Sequence, residues 1–313
     1  MNLLDELAIK FNKSKDEIRT YSLKAPDKYK MYLIPKRKKG KRLIAQPTSE
    51  LKLIQRYIVI HKLQKLPIHP CTYAYRKNIS IKDNASVHVK NSYLLNLDLE
   101  NFFNSITPRL FWKVWERTLN NLPDKEEQEL YENLIFWRPR KSSHKMILSI
   151  GAPSSPYISN FILYELDSFL SSYCDEKSIN YSRYADDLTF STSKRNILFD
   201  IPNIVEGKIF ELYNGLISLN DDKTTYSSKA RNRHVTGLVL ANDGKISIGR
   251  RKKRFIKSLI FKSINNELPL ESISYLSGYL SYINDVEPSF IYSLERKYSY
   301  EVIHKIMGSK NEN

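Results

Sequence analysis

The sequence predicts an α+β protein, and three stretches carry that expectation. "SELKLIQRYIVIHKLQKL" brings Leu51, Ile54, Ile58 and the segment from His61 to Leu63 round at helical spacing. "SYLLNLDLE" is a short apolar run ending in charge, which reads as a buried strand with Asp98 near its end. "YSRYADDLTF" sets strand-like runs at 180–184 and 188–192 around "ADDL", the pattern of a β-hairpin with Asp186 and Asp187 at its tip.

The remaining elements follow in chain order. Ser14 and Glu17 in "SKDEIRT" have capping-box spacing, so a helix starts there: each side chain can satisfy the other residue's free backbone N–H. "YKMYLIPKRKKGKRLIAQP" reads as two strands joined by a basic glycine turn. The amphipathic helix after Pro47 and the strand ending at Asp98 come next. Pro108 then opens the helix "PRLFWKVWERTL", since its fixed φ suits a first turn. "GAPSSPYISNFILYELDSFLSSYC" predicts a loop feeding one long helix, with Pro156 in the first turn and Ile158, Phe161, Ile162, Leu166 and Phe169 on one face. No repeat or linker interrupts the chain, and its 9 Gly and 13 Pro are scattered, so interleaved lobes are expected.

A chain of 313 residues with 41% hydrophobic content can bury a sizeable core. Its net charge of +16 calls for a polyanionic partner, and 21 Tyr and 13 Phe favour nucleic acid. There is no apolar run of about 18 residues, and the acidic start "MNLLDELAIK" does not read as a signal peptide, so a soluble, cytoplasmic protein without membrane attachment is expected. Cys71 and Cys174 lack the neighbours of a zinc site or a disulfide framework and read as core thiols.

Adjacent aspartates in a basic chain need an explanation. A turn suits aspartate, which accounts for Asp186 and Asp187 taken alone. Asp98, however, sits at the end of a buried-looking strand, where a carboxylate is costly unless paired, hydrogen-bonded or bound to metal. Acids gathered near strand ends point to a divalent-metal site. Magnesium suits it, being held by one or two carboxylates together with water and substrate phosphates. Two such ions about 3.5–4 Å apart can serve an in-line phosphoryl displacement.

The Tyr-Ala-Asp-Asp stretch, after a strand bearing Asp98 and its following aromatics, resembles the palm of reverse transcriptases. Its companions keep the family's order: "GKRLIAQP" with "LKLIQRYI", "LDLENFFNSI", "GAPSSPYISNFI", "LNDDKTTYSS" and "HVTGLVLANDGKISIGR". "NASVH" at 84–88 matches Asn-Ala-x-x-His and "VTG" at 235–237 matches Val-Thr-Gly, two motifs that mark the retron branch of these enzymes. Group II intron and diversity-generating reverse transcriptases are rival relatives, and an idle RNA-binding scaffold is a rival of another kind. The resemblance implies a right-hand polymerase: fingers at about 1–90 and 110–150, palm at about 91–109 and 151–230, and a short helical thumb at about 231–313. It implies RNA-directed DNA synthesis from deoxynucleoside triphosphates with two Mg²⁺ ions. The template would be a cognate structured noncoding RNA, primed from an internal guanosine 2′-OH to give branched RNA-linked single-stranded DNA. A separate effector protein and a role in antiphage defence are implied as well.

Residue roles follow from the same resemblance. Asp98 and Asp186 would bridge both ions, with Asp187 contributing less directly. Phe103 would close the space beside the sugar 2′ position, a reading preferred to that of a core Phe clustered with Phe102, which would also explain it. Lys41 and Arg42 would clamp the triphosphate, or belong to a solvated basic turn. Lys223 would protonate the departing pyrophosphate, or be a surface lysine. Asn84 and His88 are implicated in recognising the RNA, or form a buried hydrogen-bonded pair and nothing more, and Val235, Thr236 and Gly237 are similarly implicated. Arg250, Arg251, Lys252, Lys253 and Arg254 would track a phosphate backbone, with Phe255, Ile256, Leu259 and Ile260 packed inward. One departure stands out: Ile150 precedes "GAPSSP" where the family has Gln, which touches nucleotide selection.

Overall fold

The computed structural model describes residues 2–35, 40–140, 142 and 144–308. Ser14 caps the helix Lys15–Lys24 through the reciprocal box with Glu17. Strands β1 (Tyr29–Pro35) and β2 (Lys41–Pro47) pair antiparallel from Tyr29↔Pro47 to Pro35↔Lys41. The basic turn expected between them includes residues 36–39, which lie outside the described residues. Helix Ser49–His61 buries Leu51, Ile54 and Ile58. It stops sooner than its apolar spacing suggests, because Lys62 leaves helical geometry and Leu63–Lys65 form a 3-10 turn.

One sheet has four strands, in the order β4 (Asn180–Tyr184), β5 (Asp187–Thr192), β3 (Tyr93–Asp98), β6 (Thr225–Ser228). β3 and β6 run antiparallel from Tyr93↔Ser228 to Asn96↔Thr225. Leu94, Leu95 and Leu97 of β3 and Leu188 and Phe190 of β5 are buried, as expected of inner strands covered on both faces. Helix Pro108–Leu119 starts with a Thr107 cap and proline in its first turn, and buries Leu110, Phe111, Trp112 and Val114.

The single long helix expected after Pro156 is two helices, Ser155–Ile162 and Tyr164–Lys177, broken at Leu163 (φ −92°, ψ 4°). The apolar stripe does not reveal the break, since Ile162 and Leu166 keep helical spacing across it. Phe169, expected on the buried face, is only half-buried and stacks beside Tyr173.

The chain divides into two compact units, each drawn from three stretches: Met1–Lys77, Leu97–Leu188 and Phe199–Thr224 in one; Asn78–Asn96, Thr189–Leu198 and Thr225–Asn313 in the other. The second has its own core, including Val235, Leu238, Ile256, Leu280 and Leu294. It holds a sheet of β7 (Arg233–Val235), β8 (Leu238–Leu240) and β9 (Ile246–Ser247), followed by helices from Arg250–Ile264 to Tyr300–Gly308. Among the described residues, no helix is long and apolar enough to cross a membrane.

Candidate active site

Asp98 ends β3 and is 7% exposed. The backbone around it is gripped from two directions. Leu99 N donates to the Asp186 carbonyl at 3.1 Å, and Asn220 N to the Asp98 carbonyl at 2.8 Å. Asp98 therefore meets both the β4–β5 connection and the segment leading to Lys223. The Lys223 ammonium donates to Asp98 Oδ2 at 2.7 Å, although more than half of the lysine side chain meets solvent.

Only Ala185 and Asp186 connect β4 to β5, so Asp187 already opens a strand and does not share the tip with Asp186. Ala185 makes the short connection possible by taking a left-handed conformation (φ +58°). Desolvation raises the Asp186 carboxyl above the ordinary range, the Asp98 charge adds to this, and Lys223 and Arg42 counter it. Desolvation and then repulsion from Asp186 and Asp98 push Asp187 up to about 7. Part of Asp187 nonetheless remains exposed at the surface. Like charges this close keep protons or attract a cation. Among the described residues, no group of three or more His, Cys, Asp or Glu is arranged to hold a metal ion.

A cavity of about 880 Å³ opens here, lined by Lys41, Arg42, Tyr75, Phe103, Ile150, Asp186 and Lys223 among others. β2 brings Arg42 to it, and the loop before Pro153 holds β2 in place. Ala45 N donates to the Ile150 carbonyl at 3.0 Å, and Ser149 Oγ to the Ala45 carbonyl. Gly151 (φ +119°) permits this approach, because a Cβ there would stand 3.1 Å from Ile44 Cγ2. Phe103 lines the cavity and also packs edge-on against buried Phe102, ring centres 5.8 Å apart.

The residues expected at RNA lie in the other unit. Asn84 and His88 are fully buried in the helix Ile81–His88, which Ser80 and Asp83 cap. Their side chains present no surface, which agrees with the buried alternative for this pair. His88 Nδ1 bonds to Ser191 Oγ at 2.7 Å, and burial pushes the imidazole down to about 3, leaving it neutral. Val235 is buried too. Thr236 (φ +47°) and Gly237 (φ +81°) form the two-residue turn between β7 and β8, with the positive φ pair that a type I′ hairpin requires.

The run Arg250–Arg254 opens the helix Arg250–Ile264. Lys252 donates to the Gly237 carbonyl at 3.0 Å and Lys253 pairs with Glu287, which leaves Arg250, Arg251 and Arg254 as the exposed cations of the run. Ile256 and Ile260 pack inward with Leu259 beside them, whereas Phe255 is 52% exposed. One residue off the Ile256–Ile260 stripe is about 100° round the helix, enough to turn Phe255 outward.

Sequence reasoning passed over a buried polar group behind the β4–β5 connection: Thr72, Asn160, Asp167 and Arg183, all 0% exposed. It passed over Tyr75 in the cavity as well. The signal was a charge where none belongs: Arg183 inside the strand "NYSRY", and Asp167 between Leu166 and Leu170 on an apolar stripe.

Comparison with known proteins now gives these features a family. The reverse transcriptase (RNA-dependent DNA polymerase) family matches residues 34–240. The chain is 44% identical to the retron Ec83 reverse transcriptase of Escherichia coli, over 89% of each chain. It is 33% identical to the retron Ec73 enzyme of the same organism over 90% of each, and 30% identical to the Ec86 enzyme over 97% of this chain and 93% of that one. Among solved structures, a Candida albicans telomerase bound to a fragment of telomeric RNA aligns with a TM-score of 0.47 at 14% identity, covering 90% of this chain and 61% of that one. A foamy viral protease-reverse transcriptase with double-stranded DNA aligns at 0.46 and 12%, covering 90% and 43%. The chain belongs to the retron reverse transcriptases, which are RNA-directed DNA polymerases.

Proposed function

We propose that Asp98, Asp186 and Asp187 are the metal carboxylates of this polymerase and that it copies a cognate structured noncoding RNA into DNA. The observation that carries the reading is the convergence of these acids beside a cavity that also collects Arg42, Phe103 and Lys223. The donor chemistry fits magnesium: hard carboxylate oxygens, with desolvation first and mutual repulsion second raising the proton affinity of Asp186 and Asp187. No ready-made cage is needed, since magnesium is ordinarily held by one or two carboxylates and completes its shell with water and substrate phosphates. When bound, the ions supply a Lewis acid for both the attacking and the leaving oxygen.

The protein groups divide the remaining work. Arg42, with Lys41 beside it, draws in the triphosphate and balances charge that grows as the bond to pyrophosphate breaks. Lys223, already hydrogen-bonded at the site, is placed to give a proton to that leaving group. Phe103 offers an apolar wall where a ribose 2′-OH would clash. The cavity is of the size typical of ligand sites, roughly 300–1,000 Å³. In this reading β1 and β2 belong to the fingers, β3, β4 and β5 to the palm, and the helices from Arg250 onward to the thumb.

Membership of the retron branch supports the finer expectations: a cytoplasmic enzyme, priming from an internal guanosine 2′-OH, a branched RNA–DNA product, a separate effector protein and a part in antiphage defence. Primer extension on an RNA template with labelled deoxynucleotides tests the polymerase site. Asp186→Asn and Asp98→Asn should each abolish Mg²⁺-dependent extension in folded protein; retained activity refutes the metal assignment. Sequencing the nucleic acid that co-purifies with the protein tests the product. A covalent 2′–5′ branch is expected, and bulk RNA without attached DNA counts against it.

A further inference from the structure

The Arg183 guanidinium uses nearly all of its donors in the interior. Nε donates to both Asp167 oxygens at 2.9 and 3.0 Å, and Nη2 to Asp167 Oδ2 at 2.6 Å. Nη2 also reaches Thr72 Oγ1 at 2.9 Å, while Nη1 donates to Asn160 Oδ1 at 3.2 Å and to the Ala185 carbonyl at 2.9 Å. Thr72 Oγ1 and the Tyr181 hydroxyl donate in turn to Asp167. The Asn160 amide donates to the Ala74 carbonyl at 3.0 Å.

A buried ion pair is weak evidence for stability, because apolar replacements often do as well. What this one holds is more telling. The carbonyls of Ala185 and Ala74 belong to the peptides leading into Asp186 and Tyr75, and the site has a left-handed residue at each place: Ala185 at φ +58° and Tyr75 at φ +62°. Such backbone in an alanine, and more so in a tyrosine, persists only where its surroundings over-determine it. Asp186 and Tyr75 both line the cavity, where Tyr75 is 44% exposed. Burial first, and then the Asp186 charge, push the Tyr75 hydroxyl up to about 12, so the two side chains sense each other.

We propose that the buried cluster of Arg183, Asp167 and Asn160 is the positioning device of this site: Arg183 sets Asp186 through the Ala185 carbonyl, and Asn160 sets Tyr75 through the Ala74 carbonyl, so that the Tyr75 ring packs against the incoming deoxynucleotide. This rests on the reading of Asp186 as a metal carboxylate. Arg183 and Asn160 are positioning residues that touch no substrate, and Tyr75 is the group that does. The two arms are separable, because one ends at a metal ligand and the other at an aromatic ring.

The test uses the full chain, poly(rA) primed with oligo(dT), dTTP and an Mg²⁺ titration, with unfolding midpoints measured for every variant. Arg183→Lys keeps a cation opposite Asp167 but cannot hold Asp167 and the Ala185 carbonyl in one planar fork. It should need about tenfold more Mg²⁺ for half-maximal rate, the low end of what losing a metal ligand's support brings. Asn160→Ala should leave the Mg²⁺ requirement unchanged and raise KM for dTTP roughly tenfold, within the 10²-fold reach of a ~1 Å misplacement. Tyr75→Ala should raise KM similarly, and the double variant should add little to either single one. A merely structural cluster would instead lower the unfolding midpoints while KM and Mg²⁺ requirement stayed at wild-type values, and that result overturns the proposal. Should Arg183→Lys not fold, Asp167→Glu, which keeps the charge opposite Arg183 and displaces its carboxylate, tests the Arg183 arm by the same Mg²⁺ titration, and Asn160→Ala and Tyr75→Ala test the other arm. A wild-type chain without Mg²⁺-dependent extension overturns the polymerase-site reading and this proposal together; wild-type extension with unmoved variants overturns the positioning role alone.

Discussion

Phe103 illustrates how one side chain can satisfy two demands. Its ring packs edge-on against Phe102 and the residue also lines the cavity. An apolar wall rejects an added hydroxyl by about 10²-fold. Phe103→Ala should therefore lower discrimination against ribonucleotides by up to about 10²-fold, read from competing incorporation of UTP and dTTP. Unchanged sugar selectivity would dispose of the gate. The acids beside it were legible as a group from their strand-end positions. Where the turn ends was not: Asp187 already belongs to β5 while Asp186 lies in the connection, a distinction of one residue that turn composition cannot resolve.

At the level of elements, the paired strands, the capped helix after Ser14 and the proline-started helix after Thr107 were all readable, because each carries its own local signal. The break at Leu163 and the early stop at His61 were not, since the apolar period runs on past both. The cluster around Arg183 escaped for a related reason: its members are far apart in sequence and only the fold brings them together. Glycine shows the same division between local and tertiary demands. Gly237 and Gly249 both have positive φ, yet a Cβ at Gly237 would meet open space, whereas one at Gly249 would stand 2.9 Å from Val239 Cγ2. Gly237→Ala should cost about 1–2 kcal/mol, the left-handed penalty alone. Gly249→Ala should cost more, by a further 1–3 kcal/mol of overpacking. Thermal unfolding of the two variants should rank them in that order, and equal midpoints would refute the close-packing account.

Over the whole molecule, charge and connectivity set the terms. A net charge of +16 makes binding to any nucleic acid strongly salt-dependent, and the exposed Arg250, Arg251 and Arg254 should carry part of it. Replacing all three by Gln should flatten the slope of log K against log salt on single-stranded RNA by about 2, at roughly 0.7 for each phosphate released. An unchanged slope in filter-binding titrations would remove this run from the nucleic-acid surface. Connectivity acts differently. Thr72, Asn160, Asp167 and Arg183 come from separate stretches of the chain yet share one set of hydrogen bonds. Any chimera of this enzyme with a relative whose crossover falls between residues 72 and 183 would divide that set between two parents. Each such hybrid would set part of the buried hydrogen-bond network against a foreign remainder, so the cluster defines the smallest block that can be exchanged intact.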